Sequence, residues 1–320
     1  LPESRLVGVI DANEARATEI AGKYGVQSGT DYRDMLGKVD AVSIATPTLY
    51  HHEVAKCFLS EGVPVLVEKP ITTTLPQAQE LVALSREKGV ALQVGHVERF
   101  NPAVQALLDD VRDPRFIEAH RLSPFRFRSI DIGVVLDLMI HDLDIILAVV
   151  NSDLVEIRAA GVNIISPHHE DIANARLTFE NGCVANLTAS RISQQPMRKM
   201  RFFTPECYAT VDTQAREAYI YRKAENFRDF DATKVDPKKV DDPLYFVFNK
   251  IIDIRKVAIE TEEPLKLELR SFLKCVRNGT DPVVPGEHGM RAIKVAFEIL
   301  HTIDENLKEQ RSGNGLDIPT

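Results

Sequence analysis

The sequence predicts an α/β protein with an N-terminal doubly wound parallel sheet and a second α+β domain built on a large, mostly antiparallel sheet. In the first hundred residues short apolar runs alternate with helical patterns, and strands that are apolar throughout form parallel sheets covered by helices on both faces. Farther along the chain, polar and apolar residues alternate over longer segments, which indicates antiparallel strands. We therefore expect a Rossmann-like domain over residues 1–100 and an α+β domain over 101–320, with terminal helices that are able to pack back on the first domain.

The first domain alternates strands and helices. Asn13 suits an N-cap, Gly25 and Gly62 suit helix ends, and Thr74 with Gln77 has the spacing of a capping box. Ligands of such sheets bind beyond the carboxyl ends of the strands. The predicted strands cover residues 5–10, 40–45, 63–67 and 90–94, and the helices cover 13–24, 50–60 and 74–88.

The second domain is predicted to contain one embedded helix and several alternating strands. Glu180-Asn181-Gly182 is a hairpin signal between two of them, and residues 223–264 have no clear assignment. The strands are predicted over 116–122, 155–165, 173–179, 184–192, 199–203 and 209–211, and the helices over 135–149, 266–277 and 287–308.

The composition excludes several classes of protein. The 320 residues suffice for two domains, and 44% hydrophobic with 27% charged residues is typical of globular proteins. The net charge of −8 argues against a nucleic-acid partner. No apolar run approaches the roughly 18 residues that span a bilayer, and the N-terminus lacks a signal-peptide layout. Four scattered cysteines without a CxxC pair fit a reduced, cytoplasmic location.

The sharpest chemical pattern is DLMIHDLD at residues 137–144, within a predicted helix. Helical spacing places Asp137, His141 and Asp144 on one stripe, while Leu138 faces a core. A carboxylate one turn from an imidazole fixes its tautomer and raises its basicity, as a general base requires. By spacing alone, an ordinary surface Asp–His pair is the alternative.

Lys69 is a second candidate, because it follows a buried strand and precedes Pro70. At the carboxyl edge of the sheet its ammonium would polarise a substrate oxygen. The alternative is a strand-end lysine whose stem packs while its charge stays in water, and Glu68 beside it is able to neutralise that charge.

Asp11 ends the first apolar strand. An acidic residue at such a position accepts hydrogen bonds from the adenosine ribose and favours NAD over the 2′-phosphorylated cofactor, although a turn or helix-start role is the alternative. The Gly-rich phosphate loop would precede this strand, yet the sequence contains no GxGxxG motif.

A basic segment suits a phosphate. Arg121, Arg126 and Arg128 are interleaved with Phe125 and Phe127. Arginine binds phosphate bidentately and aromatic faces stack on a base, so a nucleotide-sugar diphosphate would fit. A solvated sheet edge is the alternative. The two histidine pairs, at residues 51–52 and 168–169, have no further His or Cys at ligand spacing, so we expect no metal site.

Together these residues resemble the Gfo/Idh/MocA oxidoreductases over nearly the whole chain. The resemblance rests on an ordered set of motifs: Ala45-Thr46-Pro47 with His51, then Glu68-Lys69-Pro70, then Asp137 with His141 four residues on. It implies a Rossmann domain that binds NAD, with NADP less favoured, and a C-terminal domain whose open sheet forms a homodimer or homotetramer interface. The family's first strand and Gly-rich loop would stand ahead of the segment from Leu6 to Asp11, so we expect an N-terminal truncation rather than a homologue that has lost its pyrophosphate cradle.

The resemblance also assigns residues to roles. It implies that Lys69, Asp137 and His141 are catalytic. The cofactor would be bound by Asp11, Ala45, Thr46, Pro47, His51, Glu68, Lys69 and His96, and the substrate by Arg126, Arg128, Asp137 and His141.

Within the family, residues 95–102 (GHVERFNP) and 133–137 (GVVLD) resemble the branch that acts on UDP-N-acetylglucosamine. The implied reaction oxidises the 3-hydroxyl of the sugar: His141, held by Asp137, removes the hydroxyl proton, the carbon passes hydride to the nicotinamide, and Lys69 stabilises the developing alkoxide charge. Two alternatives stay open, namely a dehydrogenase of a free sugar or inositol, and a non-catalytic ligand-binding or sensor protein.

Overall fold

The computed structural model describes residues 1–127, 132–228, 230–235 and 240–314, so the predicted substrate residue Arg128 lies outside the described residues. The chain forms two compact units. Unit 1 comprises Leu1–Phe100 and Glu262–Lys294, and unit 2 comprises Asn101–Thr261 and the segment from Val295 onward. Within the described ranges, no helix is both long and apolar enough to cross a membrane.

Unit 1 is built from short parallel strands linked by helices, as the apolar runs predict. Its parallel strands form two sheets, one of β1 and β2 and one in the order β3-β4-β5, rather than a single sheet. No strand among the described residues is hydrogen-bonded to both β1 and β3. The elements are β1 (Gly8–Ile10), α1 (Glu14–Tyr24), β2 (Gln27–Gly29), β3 (Val42–Ile44), α2 (His51–Ser60), β4 (Val65–Glu68), α3 (Leu75–Lys88) and β5 (Leu92–Gly95).

Local sequence explains where these helices begin and end. The Asn13 side chain caps α1 by accepting a backbone N–H hydrogen bond at 3.2 Å, and Gly25 ends the helix in the left-handed conformation that glycine adopts without strain. The capping box predicted for α3 is absent: the Thr74 side chain makes no cap hydrogen bond. Instead, the Thr73 hydroxyl donates to Oε1 of Gln77 at 2.9 Å, so the glutamine side chain is bonded to Thr73.

Unit 2 is built on a mixed sheet in the order β13-β12-β11-β10-β6-β9-β8-β7. The β6–β9 pair is parallel and the other neighbours are antiparallel. The elements are α4 (Pro102–Gln105), β6 (Phe116–Leu122), α5 (Ile140–Val150), β7 (Leu154–Val162), β8 (Ile172–Phe179), β9 (Val184–Ser190), β10 (Met197–Phe203), β11 (Tyr208–Asp212), β12 (Glu217–Lys223), α6 (Pro243–Phe246) and β13 (Ile252–Lys256).

The two faces of this sheet differ. On one face buried alternate residues form the core; Ile117, Phe202, Ala209 and Ile220 are among them and are each at most 2% exposed. On the other face, half-buried aromatic rings from β6, β10, β11 and β12 contact one another in sequence, with centroids 5.6, 4.8 and 4.9 Å apart. We call this set the aromatic row; its members are Phe116, Phe203, Tyr208 and Tyr221.

The chain closes with α7 (Pro264–Asn278) and α8 (Gly286–Asn314). Helix α7 and the first turns of α8 belong to unit 1. A Cβ atom at Gly289 would lie only 2.6 Å from Val94 Cγ2. The glycine therefore lets the start of α8 approach β5 more closely than a residue with a side chain would.

Candidate active site

The carboxyl end of β1 carries Asp11, as predicted. Its Oδ1 accepts a hydrogen bond from the backbone N–H of Asn13 at 2.9 Å, and its Oδ2 lies 3.5 Å from the guanidinium of Arg16. The Asp11 side chain is one-third exposed. It therefore retains acceptor capacity that faces solvent.

The ends of β3 and β4 carry the other predicted polar residues of unit 1. Ala45, Thr46 and Pro47 are exposed, and Glu68 and Lys69 are half-buried. Burial raises the pKa of the Glu68 carboxyl, although the backbone N–H and the charge of Lys69 oppose that shift. A Cβ atom at residue 95 would lie 3.0 to 3.1 Å from Glu68, so a glycine favours this close approach of β5 to β4.

His51 connects the loops that follow β3 and β4. Its ring is 1% exposed, with Nδ1 2.9 Å from the carbonyl oxygen of Pro70 and Nε2 2.8 Å from that of Thr46. Burial lowers the pKa of His51, while the two carbonyl contacts oppose that shift. A neutral imidazole has one N–H donor, so the two carbonyls compete for it. Both ring nitrogens thus contact backbone of unit 1, and a contact of His51 with the cofactor stays a prediction.

His96 follows β5 and is also buried, at 1% exposed. Its backbone N–H donates to the carbonyl oxygen of Val94 at 2.8 Å. The backbone turns sharply at this point.

These residues fit a nicotinamide dinucleotide. A partly exposed carboxylate after β1 suits the hydroxyl donors of a ribose, and the exposed 45–47 segment leaves backbone accessible at the end of β3. The ammonium of Lys69 is half-buried at the end of β4, where a positive charge is suited to stabilise negative charge on a substrate. No cluster of three or more His, Cys, Asp or Glu side chains able to hold a metal occurs in the described part of the chain.

Asp137 and His141 lie at the start of the long helix of unit 2. The predicted regular helix begins instead with a π-helical turn, Val135–Met139, which continues into α5. The extra residue per turn changes which side chains share a face: Asp144 is 2% exposed, whereas Asp137 and His141 are half-buried, and Leu138 is half-buried rather than in the core. Single π turns often occur at functional sites.

Arg121 and Arg126 of the basic segment, residues 121–128, differ in their exposure. Arg121 is not available to a phosphate, because its guanidinium forms a buried, two-pronged ion pair with Asp142 of α5. Arg126 is exposed, and the rings of Phe125 and Phe127 pack edge to face with centroids 5.4 Å apart. Of the basic residues in this segment that the structure describes, Arg126 keeps the exposure that a substrate contact needs.

Two residues hold the segment before Asp137 through contacts that the sequence did not predict. Oε1 of Glu170 accepts from the backbone N–H of Val135 at 2.9 Å, and Nη2 of Arg191 donates to the carbonyl oxygen of Ile132 at 2.5 Å. Both side chains are buried. They belong to distant parts of the sequence and form no local motif, so periodicity and spacing could not identify them.

The fold and these residues define a class of protein. A parallel-stranded unit with polar strand ends suited to a dinucleotide, and a second unit with an Asp–His pair on a helix, are the arrangement of a dinucleotide-dependent oxidoreductase. Comparisons with known proteins specify the class further. Residues 1–96 match the oxidoreductase family with an NAD-binding Rossmann fold, and residues 104–210 match the GFO/IDH/MocA C-terminal domain.

Relatives of known activity match most of the chain. UDP-N-acetylglucosamine 3-dehydrogenase of Acidithiobacillus ferrooxidans is 42% identical over 306 residues, 95% of this chain and 92% of that protein. Its solved structure superposes with a TM-score of 0.84 and 34% identity, covering 94% of this chain and 91% of that chain. scyllo-Inositol 2-dehydrogenase (NAD(+)) of Bacillus subtilis is 27% identical over 301 residues, 89% of this chain and 82% of that protein.

The chain belongs to the Gfo/Idh/MocA oxidoreductase family. The resemblance inferred from the motifs is thereby confirmed, as is the similarity to the UDP-N-acetylglucosamine 3-dehydrogenase branch. Levoglucosan dehydrogenase in complex with NADH and L-sorbose shares the fold, with a TM-score of 0.77 and 17% identity, covering 93% of this chain and 87% of that chain.

Proposed function

We propose that the protein oxidises the 3-hydroxyl of a UDP-N-acetylglucosamine-type nucleotide sugar with NAD. The observation that carries this proposal is the 42% identity to UDP-N-acetylglucosamine 3-dehydrogenase over 95% of the chain. The ordered motifs and the polar strand ends of unit 1 support it. NAD, when bound, accepts hydride from the carbon that bears the reacting hydroxyl.

His141 is the proposed general base. It lies four residues after Asp137, beyond the π-helical turn, and both side chains are half-buried. Half-burial, with a carboxylate four residues earlier in the chain, suits an imidazole that takes a proton from a hydroxyl and holds it as an imidazolium. Lys69 is proposed to act on the same substrate, stabilising negative charge on the reacting oxygen.

His51, expected to bind the cofactor, is also proposed to position Lys69. Its ring joins the carbonyl oxygens of Thr46 and Pro70, and Pro70 directly follows Lys69. This contact supports a role in which His51 restrains the loops after β3 and β4 together.

A substrate panel tests the proposed reaction. The full chain is mixed with NAD and with UDP-N-acetylglucosamine, free N-acetylglucosamine, UDP-glucose, myo-inositol or scyllo-inositol, and NADH absorbance is recorded. We expect reduction with UDP-N-acetylglucosamine and little with the free sugar. Borodeuteride reduction of the product followed by mass spectrometry then locates deuterium at C3.

Single variants test the proposed residues. Lys69→Ala is expected to lower kcat about 10²- to 10³-fold, and His141→Asn about 10²- to 10⁴-fold. Lys56→Ala is the matched control, because Lys56 is half-exposed in the same unit and pairs with Glu80 at 2.5 Å. Wild-type turnover by Lys69→Ala would refute the role of that lysine.

Oxidation of a free inositol is the second candidate. It is favoured by the 27% identity to scyllo-inositol 2-dehydrogenase over 89% of the chain. NADH formation with an inositol and none with the nucleotide sugar would select it. No reduction of NAD with any substrate, together with no NAD binding, would favour a non-catalytic sensor.

NAD is proposed as the cofactor in preference to NADP, because the Asp11 carboxylate would repel a 2′-phosphate. Arg16 lies 3.5 Å from that carboxylate and is exposed. Asp11→Ser removes the repulsion and leaves Arg16 available for a phosphate. We expect the ratio of kcat/KM for NAD to that for NADP to fall in this variant.

A homodimer or homotetramer is proposed to form through the open face of the unit 2 sheet. The aromatic row supports this, because four contacting rings that are only half-buried form an apolar surface suited to a second copy of the chain. Light scattering after size-exclusion chromatography would show a smaller assembly for Tyr208→Arg. Tyr24→Arg, at an exposed position on α1, is the control.

A cytoplasmic location is proposed together with this function. All four cysteines are free thiols, which suits a reducing compartment. Alkylation of the protein in intact cells, followed by mass spectrometry, would find these thiols reduced.

A further inference from the structure

Glu170 lies where its carboxylate touches the segment that begins the Asp137–His141 helix. It stands just before β8 and is 7% exposed. Its Oε1 accepts from the backbone N–H of Val135 at 2.9 Å, and its own carbonyl oxygen accepts from the N–H of Val134 at 3.1 Å. One residue thus receives two consecutive backbone donors from the first turn.

The carboxylate of Glu170 packs against the backbone of Gly133. A Cβ atom at that position would overlap the carboxylate of Glu170. The backbone of Gly133 in turn accepts a hydrogen bond from the N–H of Asp137 at 3.0 Å. Any movement of Glu170 is therefore transmitted through one glycine to the backbone of Asp137.

Electrostatics favour the same arrangement. The N–H groups of the first helical turn have no intrahelical acceptor, and a carboxylate beside them interacts favourably with the helix dipole. Arg191 anchors the preceding residue by donating from Nη2 to the carbonyl oxygen of Ile132. Its own backbone N–H donates to the carbonyl oxygen of Asp171, next to Glu170 in sequence. The π-helical turn thus starts from a segment held on both sides.

We propose that Glu170 is a positioning residue for the proposed dehydrogenase: seated on Gly133 and bonded to Val135, it sets the start of the π-helical turn and so the directions of Asp137 and His141. This inference rests on the proposed function, because it assigns the base to His141. Glu170 itself touches neither the substrate nor the cofactor in this role.

The first test compares Glu170→Ala with Glu170→Gln. The amide oxygen of glutamine accepts the same N–H hydrogen bond, whereas alanine cannot. We expect Glu170→Ala to lower kcat about 100-fold, the loss that a displacement of about 1 Å causes in an active site, with the dissociation constant of NAD unchanged. Glu170→Gln is expected to recover most of kcat, and the pH profile of kcat should move in the alanine variant only.

Asp171→Asn is the matched control. Asp171 is the adjacent buried acid, but its carboxylate binds the backbone N–H groups of Ile164, Ile165 and Ser166 rather than the helix. We expect this variant to lose stability and to retain the kcat of the wild type. An equal loss of kcat in Asp171→Asn and Glu170→Ala would overturn the proposal, because it would indicate general loosening of the fold.

A double-variant cycle isolates the contact. Gly133→Ala alone places a methyl group against the carboxylate, and we expect a loss of kcat as large as that of Glu170→Ala. In Gly133→Ala/Glu170→Ala the overlap is gone, so the two losses should not multiply. Strictly multiplicative losses would show that the two residues act independently and would overturn the proposal.

A measurement without substrate separates this proposal from the proposed function. The ring signals of His141 in a histidine-labelled sample, assigned with His141→Gln, should change in Glu170→Ala and remain near those of the wild type in Glu170→Gln. Hydrogen exchange over residues 133–143 should accelerate in parallel. If wild-type protein oxidises no substrate while these changes occur, the proposed function fails and the positioning role stands. Unchanged signals and exchange in Glu170→Ala would overturn the positioning role.

Discussion

The buried ion pair between Arg121 and Asp142 allows a quantitative prediction. Nε of Arg121 lies 3.1 Å from each carboxylate oxygen, Nη2 lies 2.6 Å from Oδ1, and the side chains are 4% and 5% exposed. At about 3 Å and an effective dielectric constant of about 20, the attraction is about 5 kcal/mol, which offsets the cost of taking both charges out of water. Removing one partner takes away this two-pronged contact and leaves the other charge buried.

We expect Arg121→Met to lower the free energy of unfolding by about 3–5 kcal/mol. Glu118, on the same strand β6, provides the control pair with Arg201, whose atoms are 3.2 Å apart at 29% and 49% exposure. An exposed pair of this kind contributes about 0–1 kcal/mol, so Arg201→Met should cost that much at most. The difference between the two variants measures the effect of burial.

Urea unfolding followed by far-ultraviolet circular dichroism is the assay, since the protein contains no tryptophan. The double variant Arg121→Met/Asp142→Leu should recover most of the lost stability, because neither charge is then buried. The reasoning would be refuted if Arg121→Met destabilised the protein no more than Arg201→Met, or if the double variant were less stable than both single variants.

Three further predictions concern stability and binding. The hydrogen bonds to Ser166 and its neighbours outweigh burial and lower the pKa of Asp171 to about 2 from 3.8. The unfolded state then binds more protons than the folded state. Asp171 therefore contributes about 2 kcal/mol to the free energy of unfolding above a pH of about 4, and this contribution is lost as the pH falls towards 2. The difference in stability between the wild type and Asp171→Asn, measured by urea unfolding, should disappear over that range. His51→Leu removes the ring that lies between the carbonyl oxygens of Thr46 and Pro70 and deprives one of them of its N–H donor, so we expect a loss of about 1–3 kcal/mol and weaker NAD binding by titration calorimetry. Gly289→Ala should lower the free energy of unfolding by about 1–3 kcal/mol, because the added methyl group overpacks the core. Gly22→Ala is the control: nothing lies within 4 Å of the added atom, so this variant should be neutral or stabilising in thermal unfolding. Equal effects of the two substitutions would contradict the close packing at Gly289.

The strands of unit 2 show what sequence patterns can predict. β6 occupies residues 116–122 as predicted, because its polar and apolar residues alternate between solvent and core. The hairpin between β8 and β9 is likewise confirmed, with Gly182 at φ 81°. β12 and β13 were missed. β13 is a charged strand at the sheet edge and carries little apolar signal, whereas β12 lies inside the sheet and its residues do alternate, so its pattern was overlooked.

The sequence predicted the position of those site residues that directly follow a strand. It did not predict the partners of residues whose contacts form only in the folded chain. Asp11 and Lys69 stand at strand ends as expected. The engagement of Arg121 with Asp142 depends on the packing of β6 against α5, and the use of both ring nitrogens of His51 depends on two loops that meet only in the fold. Glu170 meets Val135 35 residues away in sequence, a separation over which local patterns carry no information.

The contact of His51 with two carbonyl oxygens has a consequence for dynamics. Its ring lies 2.9 Å from the carbonyl oxygen of Pro70 and 2.8 Å from that of Thr46, and the residue is 1% exposed. The loops after β3 and β4 are therefore expected to open as one cooperative unit. Ligand binding at residues 45–47 would then slow amide exchange at Lys69 as well, although the two loops are far apart in sequence.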